Sequence, residues 1–236
     1  MHIGLIGGIG PAATDVYYRG LVTAARSTGQ PLELTVAHAD APTLLAHLEA
    51  GCTSAQCAIF EKLAHRLASA GAECVAVSAV AGHFCIDAFK AVSPLPVVDL
   101  IEAVSQHLLR LGIDHVGILG TRAVMASGFY GKLEGTRIAS LGDVERQKVH
   151  DAYVGLAETG CAIPEMFKVF VAAASELRAQ GAQTILLGGT DLAAIFSEQT
   201  APFPVLDCAH IHINAIMEYA AAKRITSRPN RTGETR

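Results

Sequence analysis

Short apolar runs alternate with amphipathic stretches along the chain. MHIGLIGG at the amino terminus is a mainly apolar run that ends in two glycines. ILLGGTD at residues 185–191 is a short run of branched apolar residues followed by two glycines, a threonine and an aspartate. An apolar run of this length predicts a strand that is covered on both faces of a sheet. The small residues that follow each run predict a tight turn, and the carboxyl ends of such strands are where open α/β sheets bind ligands.

The stretches between these runs show helical periodicity. SAQCAIFEKLAHRLASAG, residues 54–71, begins with serine, carries apolar residues at i, i+3 and i+4, and ends in glycine. These features predict a helix, and PEMFKVFVAAASELRAQG at residues 164–181 repeats them. Pro11 is tolerated in a first helical turn, so a helix is predicted from there towards Ala25. Two more helices are predicted, from Leu100 and from about Cys208 to Lys223.

An internal repeat organises these elements. HIGLIGGIGPAATDVY at residues 2–17 aligns without a gap with HVGILGTRAVMASGFY at residues 115–130. GAECVAVSA at residues 71–79 aligns at nearly the same spacing with GAQTILLGG at residues 181–189. Matching segments in the same order indicate a duplicated α/β unit. The predicted fold is therefore α/β, with two pseudo-symmetric units, each a mainly parallel sheet flanked by helices.

The repeat also predicts the domain boundaries. The first unit covers residues 1–99 and is joined by the C-terminal helix at about 208–223, while the second covers residues 100–207. The polar segment 224–236 contains four arginines and is predicted to be a disordered tail. Two like units that meet at the carboxyl ends of their strands enclose a cleft. Equivalent positions of the two units should face each other across it.

Composition narrows the possible partners. With 236 residues and 51% hydrophobic content, the chain can bury a sizeable core. A net charge of −4 without a dense basic patch argues against a nucleic-acid partner. No apolar run has the length of a membrane span, and the amino terminus lacks the basic region of a signal peptide. The six cysteines have no CxxC or zinc spacing, which favours reduced thiols and a cytoplasmic protein.

Three motifs resemble those of the aspartate/glutamate racemase superfamily, specifically its aspartate racemase branch. GLIGGIGPAAT at residues 4–14 resembles the signature GG-Met-Gly-Pro-x-Ala-Thr. SAVAGHF at residues 78–84 is similar to the Cys-Asn-Thr-Ala/Met-His motif, and GGTD at residues 188–191 is similar to Gly-Cys-Thr-Glu. The resemblance covers about residues 1–220. It implies a cofactor-independent isomerase that acts at the α-carbon of a small amino acid or carboxylate, and a homodimer.

The same resemblance places Ala79 and Gly189 where the family carries its two catalytic cysteines. In such racemases one thiol removes the α-proton on one face and the other returns a proton on the opposite face. Without the thiols, three interpretations stay open. The protein is an isomerase with a non-standard acid/base pair, a lyase or decarboxylase that needs a single base, or an inactive homologue that binds a small amino acid or carboxylate.

Three residues near the two vacant positions are the candidates for catalysis: His83, Asp191 and Ser78. His83 is a possible base, although a histidine at a helix start also serves a structural role. Asp191 stands where the family has glutamate, and it could act as a base or orient an amino group. The hydroxyl of Ser78 is a weak base unless a partner such as His83 activates it.

The candidates for substrate binding come from the turns after the strands. Gly8 and Gly10 free backbone N–H groups at a helix start, which is a natural cradle for a carboxylate. Thr121 lies in the equivalent turn of the second unit. The full set predicted from the resemblance is Gly8, Gly10, Ala79, Val80, Ala81, Thr121, Arg146, Gly189 and Thr190.

Charge at the predicted cleft departs from the family pattern. One family cation falls near VERQKVHDAY, where Arg146 or Lys148 could serve. The other belongs near ADAPTLLAHLEAG at residues 39–51, which contains no arginine or lysine. We therefore expect a ligand that is less polar than aspartate or differently charged. His210 and His212 lack a third ligand in the sequence, so no metal site is predicted.

Overall fold

The fold consists of two parallel sheets. The computed structural model describes residues 2–159, 161–197 and 199–226, and within them the chain forms two four-stranded sheets. The first contains β1 to β4, at His2–Gly7, Glu33–His38, Cys74–Val77 and Val97–Val98. The second contains β5 to β8, at His115–Leu119, Arg137–Ile138, Thr184–Leu187 and Val205–Asp207.

Helices flank both sheets. In the described residues α1 to α9 span Pro11–Ser27, Ala41–Glu49, Thr53–Ser69, Ile86–Val92, Leu100–Leu111, Arg122–Ser127, Asp143–Thr159, Pro164–Ala179 and Cys208–Thr226. Short 3₁₀ helices occupy Val80–Cys85, Phe129–Gly131 and Thr190–Ala194. None of the helices in these residues combines the length and the apolar character that a membrane span requires.

The two sheets have the same topology. The strand orders are β2-β1-β3-β4 and β6-β5-β7-β8, and all the pairings are parallel. In the first sheet Ile3 is paired with Cys74, and in the second Val116 is paired with Thr184. The predicted α/β fold with two similar parallel sheets is confirmed. A shared strand order also places the turns after β1, β3, β5 and β7 at equivalent positions.

The central strands are covered on both faces, as their unbroken apolar runs predict. Leu5 in β1, Val75 in β3 and Leu186 in β7 are fully buried. One apolar cluster fills the second unit around β5 and β7. Two others lie in the first unit, one packed around Phe60 and the other around Tyr17. Burial on both faces explains why these runs do not alternate with polar residues.

The ends of the helices follow the sequence signals to within a few residues. α1 begins at Pro11, and Gly10 precedes it with a φ of 85°, a conformation that favours glycine. The main difference lies at the C-terminus, where α9 continues to Thr226. Residues 224–226 are therefore helical rather than part of a tail, because the preceding alanines at 220–222 favour the helix. Residues 227–236 lie outside the described residues.

α9 is anchored to the first unit by a buried hydrogen-bonded chain. The Tyr17 hydroxyl of α1 donates to Nδ1 of His212 in α9 over 2.8 Å. Nε2 of His212 in turn donates to the carbonyl oxygen of Val98, also over 2.8 Å. These contacts support the proposal that α9 belongs with residues 1–99 and that residues 100–207 form the second unit.

Candidate active site

A cavity of about 550 Å³ opens at the carboxyl ends of the strands. Parallel strands end at the same edge of a sheet, so the turns that follow them converge there. The first unit lines the cavity with Ile9, Gly10, Pro11, Ala41, Pro42, Leu45, Glu49, Ala79, Val80 and Ala81. The second unit lines it with Thr121, His150, Tyr153, Val154, Ala157, Glu158, Gly188, Thr190 and Asp191.

Ala79 and Gly189 occupy equivalent places in the two units. Each immediately precedes the 3₁₀ helix that follows a central strand, β3 for Ala79 and β7 for Gly189. Ala79 lines the cavity directly, whereas Gly189 lies between two lining residues, Gly188 and Thr190. The two turns to which the resemblance assigns the thiols therefore reach the same cavity.

The side-chain space at Gly189 is filled by another residue. A Cβ atom built on Gly189 would overlap the ring of Tyr153 from α7, lying 2.6 Å from Cζ and 2.8 Å from Cδ2. Carbon atoms do not approach this closely without displacement of one group. Tyr153 is 9% exposed and lines the cavity. The tyrosine ring thus covers Gly189 on the cavity side.

Asp191 lies two residues beyond Gly189 and is only 2% exposed. Its Oδ2 accepts a 2.7 Å hydrogen bond from the Tyr153 hydroxyl. Its Oδ1 is buried and has no hydrogen-bond partner among the described residues. A buried acceptor without a partner costs free energy, so a structure that retains one usually has a use for it.

The Asp191 carboxylate faces the start of α1. A Cβ atom on Gly10 would lie 3.2 Å from Oδ2 and 3.3 Å from Oδ1, so the glycine allows the carboxylate to come close. The amino end of a helix attracts negative charge. The turn that the sequence predicts as a carboxylate cradle is therefore partly occupied by a carboxylate of the protein itself.

Burial changes the pKa of both Asp191 and Tyr153. Removal from water raises the pKa of Asp191, although the Tyr153 hydrogen bond and main-chain groups of Asp191 and Ala13 act in the opposite direction. Burial, together with the adjacent Asp191 charge, raises the pKa of Tyr153 well above its ordinary value. Tyr153 therefore keeps its proton and donates it in the hydrogen bond, while Asp191 is a stronger base than an exposed carboxylate.

His83 is fully buried and is not among the described residues that line the cavity. Its Nδ1 donates to the carbonyl oxygen of Ala79 over 2.8 Å, and its Nε2 accepts from the backbone N–H of Leu100 over 3.3 Å. Burial also lowers the pKa of His83, so the ring stays neutral. Both ring nitrogens hold main chain in place, which is the structural role that the sequence left open.

Ser78 is also fully buried and outside the lining of the cavity. Its backbone N–H donates to the carbonyl oxygen of Ile6, and its hydroxyl oxygen has no partner among the described residues. In particular, no hydrogen bond joins it to His83, so the arrangement lacks the serine–histidine pair that would activate the hydroxyl.

Most of the predicted substrate-binding residues reach the cavity. Those that line it are Gly10, Ala79, Val80, Ala81, Thr121 and Thr190. Gly8 does not line it, and its N–H donates to the Thr14 hydroxyl over 2.8 Å. Arg146 does not line it either, because its guanidinium bonds Asp143 over 2.9 Å and the carbonyl oxygen of Leu141 over 2.7 Å.

The charge around the cavity is acidic. Among the described residues that line it there is no arginine or lysine, while Glu49, Glu158 and Asp191 are carboxylic acids. Lys148, the alternative to Arg146 as the predicted cation, pairs with Glu145 at 3.7 Å. Across the described residues, no group of three histidine, cysteine, aspartate or glutamate side chains could hold a metal ion.

Among the lining residues that were not identified from the sequence, His150 and Tyr153 stand out because their side chains can take part in acid/base chemistry or hydrogen bonding. Both lie in α7, and with Val154, Ala157 and Glu158 they recur at helical spacing along one face of that helix. Nδ1 of His150 accepts from the backbone N–H of Arg122 over 3.3 Å. The spacing was visible in the sequence, but it does not show that this face turns towards Gly189 rather than towards an ordinary core.

Solved structures of racemase relatives share the fold of this chain. A candidate Asp/Glu racemase of Yersinia pestis is 28% identical, with a TM-score of 0.82 over 94% of this chain and 100% of that chain. An aspartate racemase homologue of Pyrococcus horikoshii is 25% identical, with a TM-score of 0.78 over 93% and 99%. A Picrophilus torridus aspartate racemase, 21% identical, shares the fold with a TM-score of 0.75 over 94% and 95%. The sequence profile of the Asp/Glu/hydantoin racemase family matches residues 6–216, so the chain belongs to that family.

Proposed function

We propose that the protein is a cofactor-independent enzyme of the racemase type that removes the α-proton of a small amino acid or carboxylate bound in the cavity. Membership of the Asp/Glu/hydantoin racemase family supports the reaction class. Asp191 is the base in this proposal, in place of the family's thiols. The observation that carries it is the Oδ1 atom of Asp191, a buried acceptor without a partner in a residue that lines the cavity.

The chemistry follows from the surroundings of this carboxylate. A base that works near neutral pH needs a pKa above that of an ordinary carboxyl group, and burial raises the pKa of Asp191. Its Oδ2 is held by Tyr153, which leaves Oδ1 to accept the proton. The neutral, main-chain-bonded His83 and the buried hydroxyl of Ser78 have no part in this proposal.

A lyase or decarboxylase on the same scaffold is the second candidate. The first unit contributes one ionisable side chain to the described lining, Glu49, which is exposed, and the turn around Ala79 is apolar. The other ionisable groups of the lining belong to the second unit. Racemisation through two opposed groups needs a base on one face and a proton donor on the other, whereas decarboxylation or elimination needs only one acid/base group.

The lining also bears on the ligand. Three carboxylic acids without an arginine or lysine in the described lining disfavour a second negative charge on the ligand. Most of the remaining lining residues are apolar. We therefore propose a ligand with one carboxylate and an apolar or basic side chain rather than a dicarboxylate such as aspartate.

Hydrogen exchange in D₂O tests the proposed reaction. The protein is incubated with both enantiomers of each of a panel of amino acids and with small carboxylates, and deuterium at the α-carbon is followed by NMR. We expect exchange with at least one ligand. Asp191→Asn should slow it by about 10²- to 10⁴-fold, the usual contribution of a positioned base. Asp151→Asn, the same change at an exposed position of α7, should leave it unchanged.

The outcomes separate the candidates. Exchange with interconversion of the enantiomers supports the isomerase, whereas loss of CO₂ or of a leaving group, or exchange with retention, supports one-sided chemistry. A ligand that raises the melting temperature without exchange or product would support the inactive homologue and overturn the proposal. The homodimer implied by the resemblance stays a prediction, which sedimentation analysis can test. The cytoplasmic location also stays a prediction.

A further inference from the structure

We propose that Tyr153 and Asp191 together replace the second thiol of the family, with Asp191 as the base and Tyr153 as the residue that positions it. This inference rests on the proposed function and names a residue that the sequence motifs do not contain. Tyr153 lies in α7, 36 positions before Gly189 and 38 before Asp191 in the chain. The pairing is produced only by the packing of α7 against the turn after β7.

The first support is the shared space. A side chain at position 189 would begin where the Tyr153 ring now lies, 2.6 Å from Cζ and 2.8 Å from Cδ2. A cysteine at position 189 and a tyrosine at position 153 therefore exclude each other in this arrangement. Glycine at position 189 is what allows the ring to reach the edge of the cavity.

The second support is the direction of the hydrogen bond. The Tyr153 hydroxyl donates to Oδ2 of Asp191 over 2.7 Å, while Oδ1 has no partner among the described residues. Tyr153 fixes one oxygen, and the other, which is buried beside the start of α1, is the oxygen that this proposal assigns to accept the proton. Tyr153 remains protonated, because burial and the neighbouring carboxylate raise its pKa well above the ordinary value.

The proposed step is a single proton transfer. The C–H bond at the α-carbon breaks, the proton moves to Oδ1 of Asp191, and the electron pair is delocalised into the carboxylate of the ligand. Return of the proton from Oδ1 re-forms the bond on the same face. Inversion instead requires that solvent water protonates the opposite face, after which Asp191 releases its proton to the solvent. The Tyr153 hydrogen bond stabilises the ionised form of Asp191, and it therefore sets the pH at which the base becomes available.

Tyr153→Phe tests the positioning role, because phenylalanine keeps the ring and removes only the hydroxyl. The α-hydrogen exchange rate is measured from pH 5 to 9 in the variant and in the wild type. We expect the acid limb of the profile to move to higher pH, since the hydrogen bond that lowers the pKa of Asp191 is lost. Tyr18→Phe, at an exposed site of α1, is the matched control and should leave the profile unchanged. An unshifted profile for Tyr153→Phe would overturn the positioning role.

A double substitution tests the shared space without any need for catalysis. Gly189→Ala alone should lower the melting temperature by several degrees, because its Cβ meets the Tyr153 ring. The same change in a Tyr153→Ala background should cost far less, since the ring is gone. Gly142→Ala, whose Cβ would approach only the flexible end of Glu145, is the control.

The two measurements fail in different ways. Strictly additive melting temperatures would overturn the statement that the two side chains exclude each other. If the wild-type protein exchanges no α-hydrogen at all, the proposed function fails and the catalytic part of this inference fails with it. The coupling between positions 189 and 153 would still be decided by the melting temperatures.

Discussion

At the scale of single residues, Asp191 carries the cost of the proposed chemistry. A carboxylate that is 2% exposed, with one oxygen lacking a partner, is destabilising compared with a neutral group of the same shape. Such residues persist where a function requires them. The raised pKa of Asp191 means that the folded protein holds this proton more tightly than the unfolded chain does.

This difference predicts the pH dependence of stability at Asp191. As pH rises from the ordinary aspartate value of about 3.9 through the raised folded value, the folded state loses stability relative to the unfolded state. Asp191→Asn is neutral at every pH, so it should raise the free energy of unfolding at pH 7. Urea unfolding from pH 5 to 8 should show this gain shrinking towards acid pH. A gain that is independent of pH, or no gain, would contradict the prediction.

At the scale of elements, two helices make contacts that join segments far apart in the chain. α7 turns one face towards the cavity and supplies both His150 and Tyr153. α9 closes the first unit through His212, whose ring joins α1 to the end of β4. Burial lowers the pKa of His212 to about 3, which keeps the ring neutral and able to accept from Tyr17.

Tyr17→Phe should therefore weaken the attachment of α9. The substitution leaves Nδ1 of His212 as a buried acceptor without a donor, which costs about 1–3 kcal/mol. The free energy of unfolding from denaturant titration measures this loss. Tyr18→Phe, the next residue of the same helix, is 54% exposed and should change it by less than about 0.5 kcal/mol. Equal effects of the two changes would show that the Tyr17–His212 bond does not hold the helix.

At the scale of the whole molecule, the duplicated units contribute unequally to one cavity. The first unit supplies mainly apolar residues and the start of α1, whereas the second supplies Asp191, Tyr153 and His150. Glu49 and Glu158 are both exposed and belong to different units. The two units therefore differ in the ionisable side chains that they bring to the cavity, although their turns occupy equivalent positions.

The ligand preference follows from this distribution of charge. Amino acids with apolar or basic side chains should raise the melting temperature more than aspartate or succinate does. Glu158→Lys should reduce the preference for these amino acids over aspartate, measured as the ratio of the two Kd values, by up to several-fold. One exposed charge contributes about 0.2–1 kcal/mol to such a ratio. Glu165→Lys, which reverses an exposed charge in α8, serves as the control. A wild-type preference for the dicarboxylates would contradict the assignment.

The sequence by itself determined five of the nine α-helices of the described residues, the duplication and the turns that reach the cavity. Strand runs, helix periods and glycine turns depend on near neighbours in the chain, so β1, β7, α1 and α8 could be predicted with small errors at their ends. The family motifs also pointed to Ala79 and Gly189. Only the tertiary structure decided what stands near those positions.

The decisive contacts join residues that are far apart in sequence. Tyr153 covers Gly189 and holds Asp191, and Leu100 occupies the nitrogen of His83 that a base would need. Arg146 bonds within its own segment instead of reaching the cavity. Local patterns show which residue types a turn contains. Which side chain fills the space beside Gly189 depends on how α7 packs against the turn after β7, and that packing is set by the whole fold.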